Sequence, residues 1–165
     1  MLSERFVEAL NAQIGREFAA AHQYTAIGAH YAATTFPRLA AFFYEQAGDE
    51  REHAMKMVNY LIDRGVQPDI GGVEAPRGTF GDQVEPIRHA LEQERQVTIK
   101  ISELFEIARE TRDYASEQFM QWFLEEQVEE EAAMGDLLAV AERTVSVPML
   151  LEEYLARDKP GVRPE

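Results

Sequence analysis

Residues 66–82, VQPDIGGVEAPRGTFGD, form a long connection between two segments that have helical periodicity. Glycine and proline recur along it, and both interrupt regular helices. The helix predicted before it, over 37–65, would be about 42 Å long at ~1.5 Å per residue. An extended connection of 17 residues reaches about 56 Å at ~3.3 Å per residue, enough to return along that whole helix. The helices on either side of this connection should therefore be parallel.

Apolar residues recur at helical spacing through most of the chain. The pattern predicts four long helices and a short fifth one, over 3–34, 37–65, 82–110, 113–143 and 146–156. Ser3 is a suitable first cap, Gly65 a stop signal, and Asp82 with Glu85 resembles a capping box. The other connections are short and join antiparallel neighbours. The sequence thus predicts an all-α four-helix bundle with one long crossover.

Length and composition favour a single domain over 1–165, with the bundle at about 3–143 and the fifth helix at about 146–156. Cysteine is absent, which excludes disulfides, thiolate metal sites and iron–sulfur clusters. The charged amino terminus does not resemble a signal peptide, and no apolar run approaches the ~20 residues of a membrane span. We therefore expect a cytoplasmic protein that does not bind membranes.

The formal net charge is -14. Such an acidic chain repels the phosphates of nucleic acids and anionic lipids, so we expect no nucleic-acid partner. It attracts cations instead, although an acidic solvated surface gives the same composition.

Each long helix has an apolar seam with an acid near its middle, namely Glu17, Glu50, Glu94 and Glu130. Packed helices of similar length bring their centres to one level, so these acids should meet in one layer. Unpaired buried carboxylates are strongly destabilising. Two divalent cations would balance the four carboxylates with His53 neutral, which makes a metal site self-consistent.

The register of these residues repeats between the two predicted hairpins. Glu50 follows Glu17 by 33 positions, and Gln127 follows Glu94 by the same 33 positions. A lone Glu-x-x-His pair such as Glu50 and His53 is weak evidence, because exposed acid–histidine pairs are common. The repeated layer is much more specific. Oxygen ligands with one imidazole and no sulfur suit iron or manganese.

The chain resembles the prokaryotic non-haem ferritin family at Glu17, at Glu50-Arg51-Glu52-His53, at Glu94 and at 121–130, QWFLEEQVEE. The likeness covers essentially the whole chain and implies the ferritin-like fold. It implies two irons per subunit. The first would be held by Glu17, Glu50 and His53, and the second by Glu50, Glu94 and Glu130 with Gln127 beside it.

The same resemblance implies a third, inner iron position involving Asp49, Glu126 and Glu129. Relatives usually have glutamate at the position of Asp49, whose shorter side chain weakens this prediction. Tyr24 lies on the face of Glu17, two turns away. Although such a tyrosine is more often a core residue, we include it in the candidate catalytic set with the iron ligands.

By this resemblance the protein would be a ferroxidase that oxidises Fe(II) with O2 or H2O2 and stores ferric mineral inside a homo-oligomeric cage of 24 subunits. Arg51 stands where bacterioferritins have a haem-binding methionine, so we expect no haem. The apolar residues of the fifth helix favour self-association. Two alternatives remain open: a di-iron or di-manganese oxidoreductase or peroxidase without storage, and an acidic bundle that only mediates assembly.

Overall fold

The computed structural model describes residues 2–158, 160 and 161, and α-helices are the regular elements of that part of the chain. There are five of them: α1 Glu4–Ala33, α2 Pro37–Asp63, α3 Glu85–Glu110, α4 Tyr114–Arg143 and α5 Met149–Arg157. The prediction of four long helices and a short fifth helix is confirmed. None of the described helices is long and apolar enough to span a membrane.

The long crossover follows α1 from its amino end to its carboxyl end. Three side chains spaced along α1 form hydrogen bonds with the backbone of the crossover: Asn11 with Asp69, Gln23 with Arg77 and Tyr31 with Gln83. The chain that leaves α2 therefore returns to the level at which α2 began. Consequently α3 starts at the same end of the bundle as α2, and these two helices are parallel as the loop length predicted.

Helix α3 begins three residues later than the predicted boundary at Asp82. The Asp82 carboxylate accepts hydrogen bonds from the backbone of Val84 and Glu85, at 2.8 and 2.7 Å. The Glu85 carboxylate in turn accepts one from the Gly81 backbone at 2.6 Å. The acid pair closes a bend that precedes the helix, because its hydrogen bonds stabilise the turn just outside the first helical residue.

Several other helix ends carry start or stop signals, of which Ser3 and Gly65 were predicted from the sequence. Ser3 accepts a hydrogen bond from the Phe6 backbone, and Asp113 accepts one from Ser116. Gly65 adopts a φ of 74°, in the left-handed region that terminates helices and suits glycine. Proline occupies the first position of α2, where its missing N–H is not needed.

Two apolar clusters fill the bundle, one toward each end. The first includes Tyr31, Phe43 and Leu137, and the second includes Phe6, Met57 and Met120. The middle of the bundle is therefore left to polar groups, and the seam acids lie there. Two well-packed ends fix the helices that present these acids.

Helix α5 packs on the bundle through a buried acid as well as apolar groups. Leu151 is buried, and the Glu152 carboxylate accepts hydrogen bonds from the backbone N–H groups of Arg38 and Leu39, both at 2.9 Å. Helix α2 has no side-chain cap at its own N-cap residue, Phe36. Glu152 therefore caps α2 from a distant part of the chain.

Candidate metal centre

The structure brings the predicted acids of the four helices together in one buried layer. Glu17 and Glu94 are each 1% exposed, Glu50 is 2% exposed and His53 is 5% exposed. Glu130 completes the layer from α4 with 12% of its side chain exposed. Acids are rarely this buried unless they are paired with other groups or cations.

The Nδ1 atom of His53 faces three of the carboxylates. This atom is 3.6 Å from Glu50 Oε2, 3.7 Å from Glu130 Oε1 and 3.9 Å from Glu17 Oε2. These distances exceed those of hydrogen bonds. The imidazole nitrogen and the three carboxylates thus surround a common space.

Two overlapping groups of possible ligands share Glu50. Its carboxylate belongs both with Glu17 and His53 and with Glu94 and Glu130, and the ligand atoms within each group lie within 4.8 Å of one another. An acid common to two groups is placed to bridge two cations. The predicted ligand sets of the first and second positions are therefore each assembled in space.

Glu94 is oriented by two neighbours. The Tyr24 hydroxyl donates a short hydrogen bond to Glu94 Oε1, and the Gln127 amide donates to Glu94 Oε2 at 3.1 Å. The same amide also contacts the Glu94 carbonyl and the Thr98 hydroxyl, each at 3.2 Å. In this structure Gln127 therefore supports a neighbouring carboxylate from beside the site.

Burial makes this layer strongly basic when no cation is present. Burial, followed by the charges of Glu17 and Glu130, raises the pKa of Glu50 well above its usual value. Burial and then the charges of Glu94 and Glu17 raise the pKa of Glu130 to about 10. Burial also raises the pKa of Glu94, against the hydrogen bonds from Tyr24 and Gln127. These carboxylates therefore favour binding a proton or another cation.

The donor set fits a pair of cations. Glu17 Oε2 and Glu130 Oε2 are buried and find no hydrogen-bond partner in the described part of the chain. Buried oxygens without a partner are costly and call for an explanation such as an ion. Oxygen-rich coordination with one imidazole suits Fe(II) or Mn(II). The oxygens left without partners belong to two of the acids whose spacing predicted the site.

A groove of about 1120 Å³ opens beside this layer, between α2, α4 and α5. Asp49, Glu126 and Glu129, the residues predicted for a third iron, all line it. Glu126 Oε2 is 4.0 Å from His53 Nε2, on the side of the ring opposite the other acids. Glu126 thus approaches the centre, whereas Glu129 is exposed.

Aromatic rings hold His53 on its remaining sides. The Trp122 ring centre is 5.6 Å from that of His53, and the Phe123 ring centre is 5.9 Å away, both in edge-on contact. Lys56 Nζ lies 3.6 Å from the centre of the Trp122 ring and covers its outer side. The imidazole is therefore fixed by packing, as a rigid ligand should be.

Gln13 is fully buried beside the site and was not predicted from the sequence. Its amide Nε2 donates a hydrogen bond to Glu17 Oε1 at 2.7 Å. The available signal was spacing, since Gln13 precedes Glu17 by one helical turn on the same face. An uncharged residue on an apolar seam did not stand out from the sequence alone.

The chain is similar over most of its length to known proteins of one family. The family profile described as Ferritin-like domain matches residues 7–144. Ferritin BfrB of Mycobacterium tuberculosis is 43% identical over 154 residues, covering 93% of this chain and 85% of the relative. The bacterial non-heme ferritin of Staphylococcus aureus is 44% identical over 132 residues, 80% of each chain. The chain belongs to the ferritin family.

A solved ferritin has the same fold. The open-pore ferritin of the archaeon Archaeoglobus fulgidus superposes with a TM-score of 0.91 at 31% identity, covering 95% of this chain and 98% of that one. The superposition therefore includes nearly the whole of both chains. The resemblance inferred from the sequence motifs is confirmed at the level of family and fold.

Proposed function

We propose that this ferritin oxidises Fe(II) at the buried carboxylate layer and stores the resulting ferric iron as a mineral. The observation that carries the proposal is the pair of ligand groups that share Glu50. They supply two adjacent positions with oxygen ligands from four helices and one imidazole. Fe(II) is the substrate of this site, and the names of the relatives support iron as the stored metal.

In this proposal Glu17, Glu50 and His53 bind one Fe(II), and Glu50, Glu94 and Glu130 bind the other. The carboxylates compensate the positive charge, and this compensation becomes stronger as each iron loses an electron. Two Fe(II) together give two electrons to O2, which takes up two protons and leaves as H2O2. With H2O2 as oxidant, the same two electrons and two protons yield two water molecules.

Tyr24 and Gln127 have orienting roles in the proposed reaction. Both donate hydrogen bonds to Glu94, so its lone pairs are directed toward the second position. Burial and the nearby charge of Glu94 raise the pKa of Tyr24 well above its usual value. The phenol therefore keeps its proton and remains a hydrogen-bond donor.

Storage requires that iron leave the site for a mineral. The acidic groove beside His53 offers a route, because Asp49, Glu126 and Glu129 line it. We extend the proposal to a third iron position in this groove.

We also propose that 24 copies form a cage. Val147, Met149 and Leu150 are exposed at the start of the fifth helix or just before it, which gives copies an apolar surface to share.

The direct test is Fe(II) oxidation in air, followed by ferric absorbance at two Fe(II) per subunit. Glu50→Ala combined with Glu94→Ala removes the shared ligand and a ligand of the second position. We expect the fast phase to disappear. A matched double variant on the exposed surface, Glu92→Ala with Glu103→Ala, should keep it. Unchanged kinetics in the Glu50/Glu94 variant would contradict the proposed site.

Loading with several hundred Fe(II) per particle tests storage separately. The proposal predicts that the protein stays in solution with an electron-dense core. A di-metal oxidoreductase without storage would saturate at its site, and the excess iron would precipitate.

A further inference from the structure

Gln13 is a buried amide that the proposed reaction does not use. Its side chain is fully buried in the bundle, on the seam that also contains Leu10 and Ile14. A leucine at this position would pack without the cost of burying a polar group. The presence of a buried amide at this position therefore needs an explanation.

Arg16, an exposed residue of the same helix, fixes the orientation of the Gln13 amide. The Arg16 guanidinium donates a hydrogen bond to Gln13 Oε1 at 3.2 Å. Because arginine is only a donor, the oxygen of the amide must face Arg16. The amide nitrogen then faces Glu17 Oε1, to which it donates at 2.7 Å. This chain of donors leaves one orientation for Gln13.

The hydrogen bond from Gln13 occupies one oxygen of Glu17 and so determines which oxygen remains for a metal ion. Since Oε1 is engaged by the amide, Oε2 is left without a hydrogen-bond partner among the described residues. Oε2 is also the oxygen that lies 3.9 Å from His53 Nδ1. The two oxygens of one carboxylate thus have different tasks: one is anchored, and the other points to the metal position.

We propose that Gln13 is a positioning residue that makes Glu17 a one-oxygen ligand, through Oε2, for the cation shared with Glu50 and His53. This inference rests on the proposed function of the site. Without the anchor, Glu17 can rotate, and it then binds through both oxygens or turns away. Groups that orient a ligand in this way typically contribute 10–100-fold (order of magnitude) to metal affinity.

Cobalt(II) is a suitable probe, because it is not oxidised by air at such sites and its visible absorption reports the coordination number. Titration of the metal-free protein should show two Co(II) bound in the carboxylate layer of each subunit. In Gln13→Met, which keeps the volume but removes both hydrogen bonds, we expect one Co(II) to bind roughly 10–100-fold more weakly. Its absorption band should change, while the other Co(II) keeps the wild-type affinity.

Gln23→Met is the matched control. Gln23 is a buried glutamine of the same helix, but its amide bonds to the Arg77 backbone. The Gln23→Met variant should leave both Co(II) affinities and the spectrum unchanged.

Arg16→Met alters an exposed residue and leaves the core intact. It frees the amide to flip, so we expect a smaller loss at the same single position.

The outcomes are distinguishable. Wild-type affinities and spectrum in Gln13→Met, or an equal loss at both positions, would overturn the role of Gln13. Wild-type protein that binds fewer than two Co(II) per subunit would instead contradict the proposed function. If Gln13→Met does not fold, an unchanged spectrum and affinity in Arg16→Met overturns the inference.

Discussion

Glu130 illustrates how a single buried residue can make stability depend on pH. Burial and neighbouring acids raise its pKa to about 10, whereas an exposed glutamate titrates near 4.3. Between these values the metal-free folded state holds a proton that the unfolded state has released. Folding stability must therefore fall as pH rises through this window.

The prediction concerns the metal-free protein at a fixed concentration. From pH 6 to 8 its free energy of unfolding should decrease by up to about 1.4 kcal/mol per pH unit for one such group. Glu130→Gln should reduce this slope, and Glu106→Gln, on the exposed face of α3, should not. Urea unfolding at several pH values measures both. A stability that rises with pH in this range would contradict the account.

Tyr24 gives a residue-scale test of ligand orientation. Tyr24→Phe removes the hydroxyl that donates to Glu94, so Glu94 loses part of its orientation. We expect Fe(II) oxidation to slow by roughly tenfold, the lower range for such supporting groups. Stopped-flow absorbance provides the measurement.

Tyr31→Phe is the control for this change. Tyr31 is also buried in α1, but its hydroxyl donates to the Gln83 carbonyl, away from the acid layer. It should alter stability without changing the oxidation rate. Equal rates in the two variants would argue against a role for the Tyr24 hydroxyl.

The acids of the layer could be predicted from the sequence because a charged residue on an apolar helix seam is conspicuous. Helical spacing placed Glu17, Glu50 and Glu94 on inward faces, and the structure brings them together. Gln13 was not predictable in this way. Its importance depends on where Glu17 and Arg16 direct their polar atoms, and spacing alone does not determine those directions.

At the scale of elements, the contact of α5 with α2 is the feature that local sequence could not reveal. Glu152 lies more than a hundred positions from the N–H groups that it caps. Helix periods and short loops, by contrast, are local, so the five helices were predicted to within three residues at their starts. The starts of α3 and α5 each lie three residues later than predicted, and at α3 Asp82 and Glu85 stabilise a bend just before the helix.

Glu152→Ala tests this contact. It leaves two backbone N–H groups at the start of α2 without their acceptor. Loss of hydrogen bonds to a charged group costs about 1.5–3 kcal/mol. We expect that loss in the free energy of unfolding, together with faster hydrogen exchange in α5 and at the start of α2.

Glu153→Ala is the matched control, since Glu153 is the exposed neighbour on the same helix. It should stay within about 0.5 kcal/mol of the wild type. Unchanged exchange in α5 of the Glu152→Ala protein would mean that apolar packing alone holds the helix.

The whole chain has a net charge of -14, and it also has exposed apolar residues near α5. We expect the acidic surface to attract cations and the apolar surface to contact other copies. Acids line the groove beside the candidate metal centre, which is the route that we propose for cations. Val147, just before α5, and Leu150, within it, are exposed. A family resemblance was needed to infer a cage, because sequence patterns show which faces are apolar but not which copy covers them.

Leu150→Lys combined with Val147→Lys tests assembly. Charges on a surface shared by copies would repel one another and require desolvation. Light scattering should show particles smaller than those of the wild type, with helix content retained. The neighbouring change Glu153→Lys, at an already polar position, should keep the wild-type size. Full-sized particles in the double variant would place the contacts between copies elsewhere.

The proposed function requires that two metal ions occupy the buried layer of carboxylates. Anomalous diffraction at the iron edge, from crystals soaked anaerobically with a ferrous salt, tests it most directly. We predict two peaks in the carboxylate layer of each subunit, one among Glu17, Glu50 and His53 and the other among Glu50, Glu94 and Glu130. A layer without iron, with those side chains turned toward solvent, would contradict it.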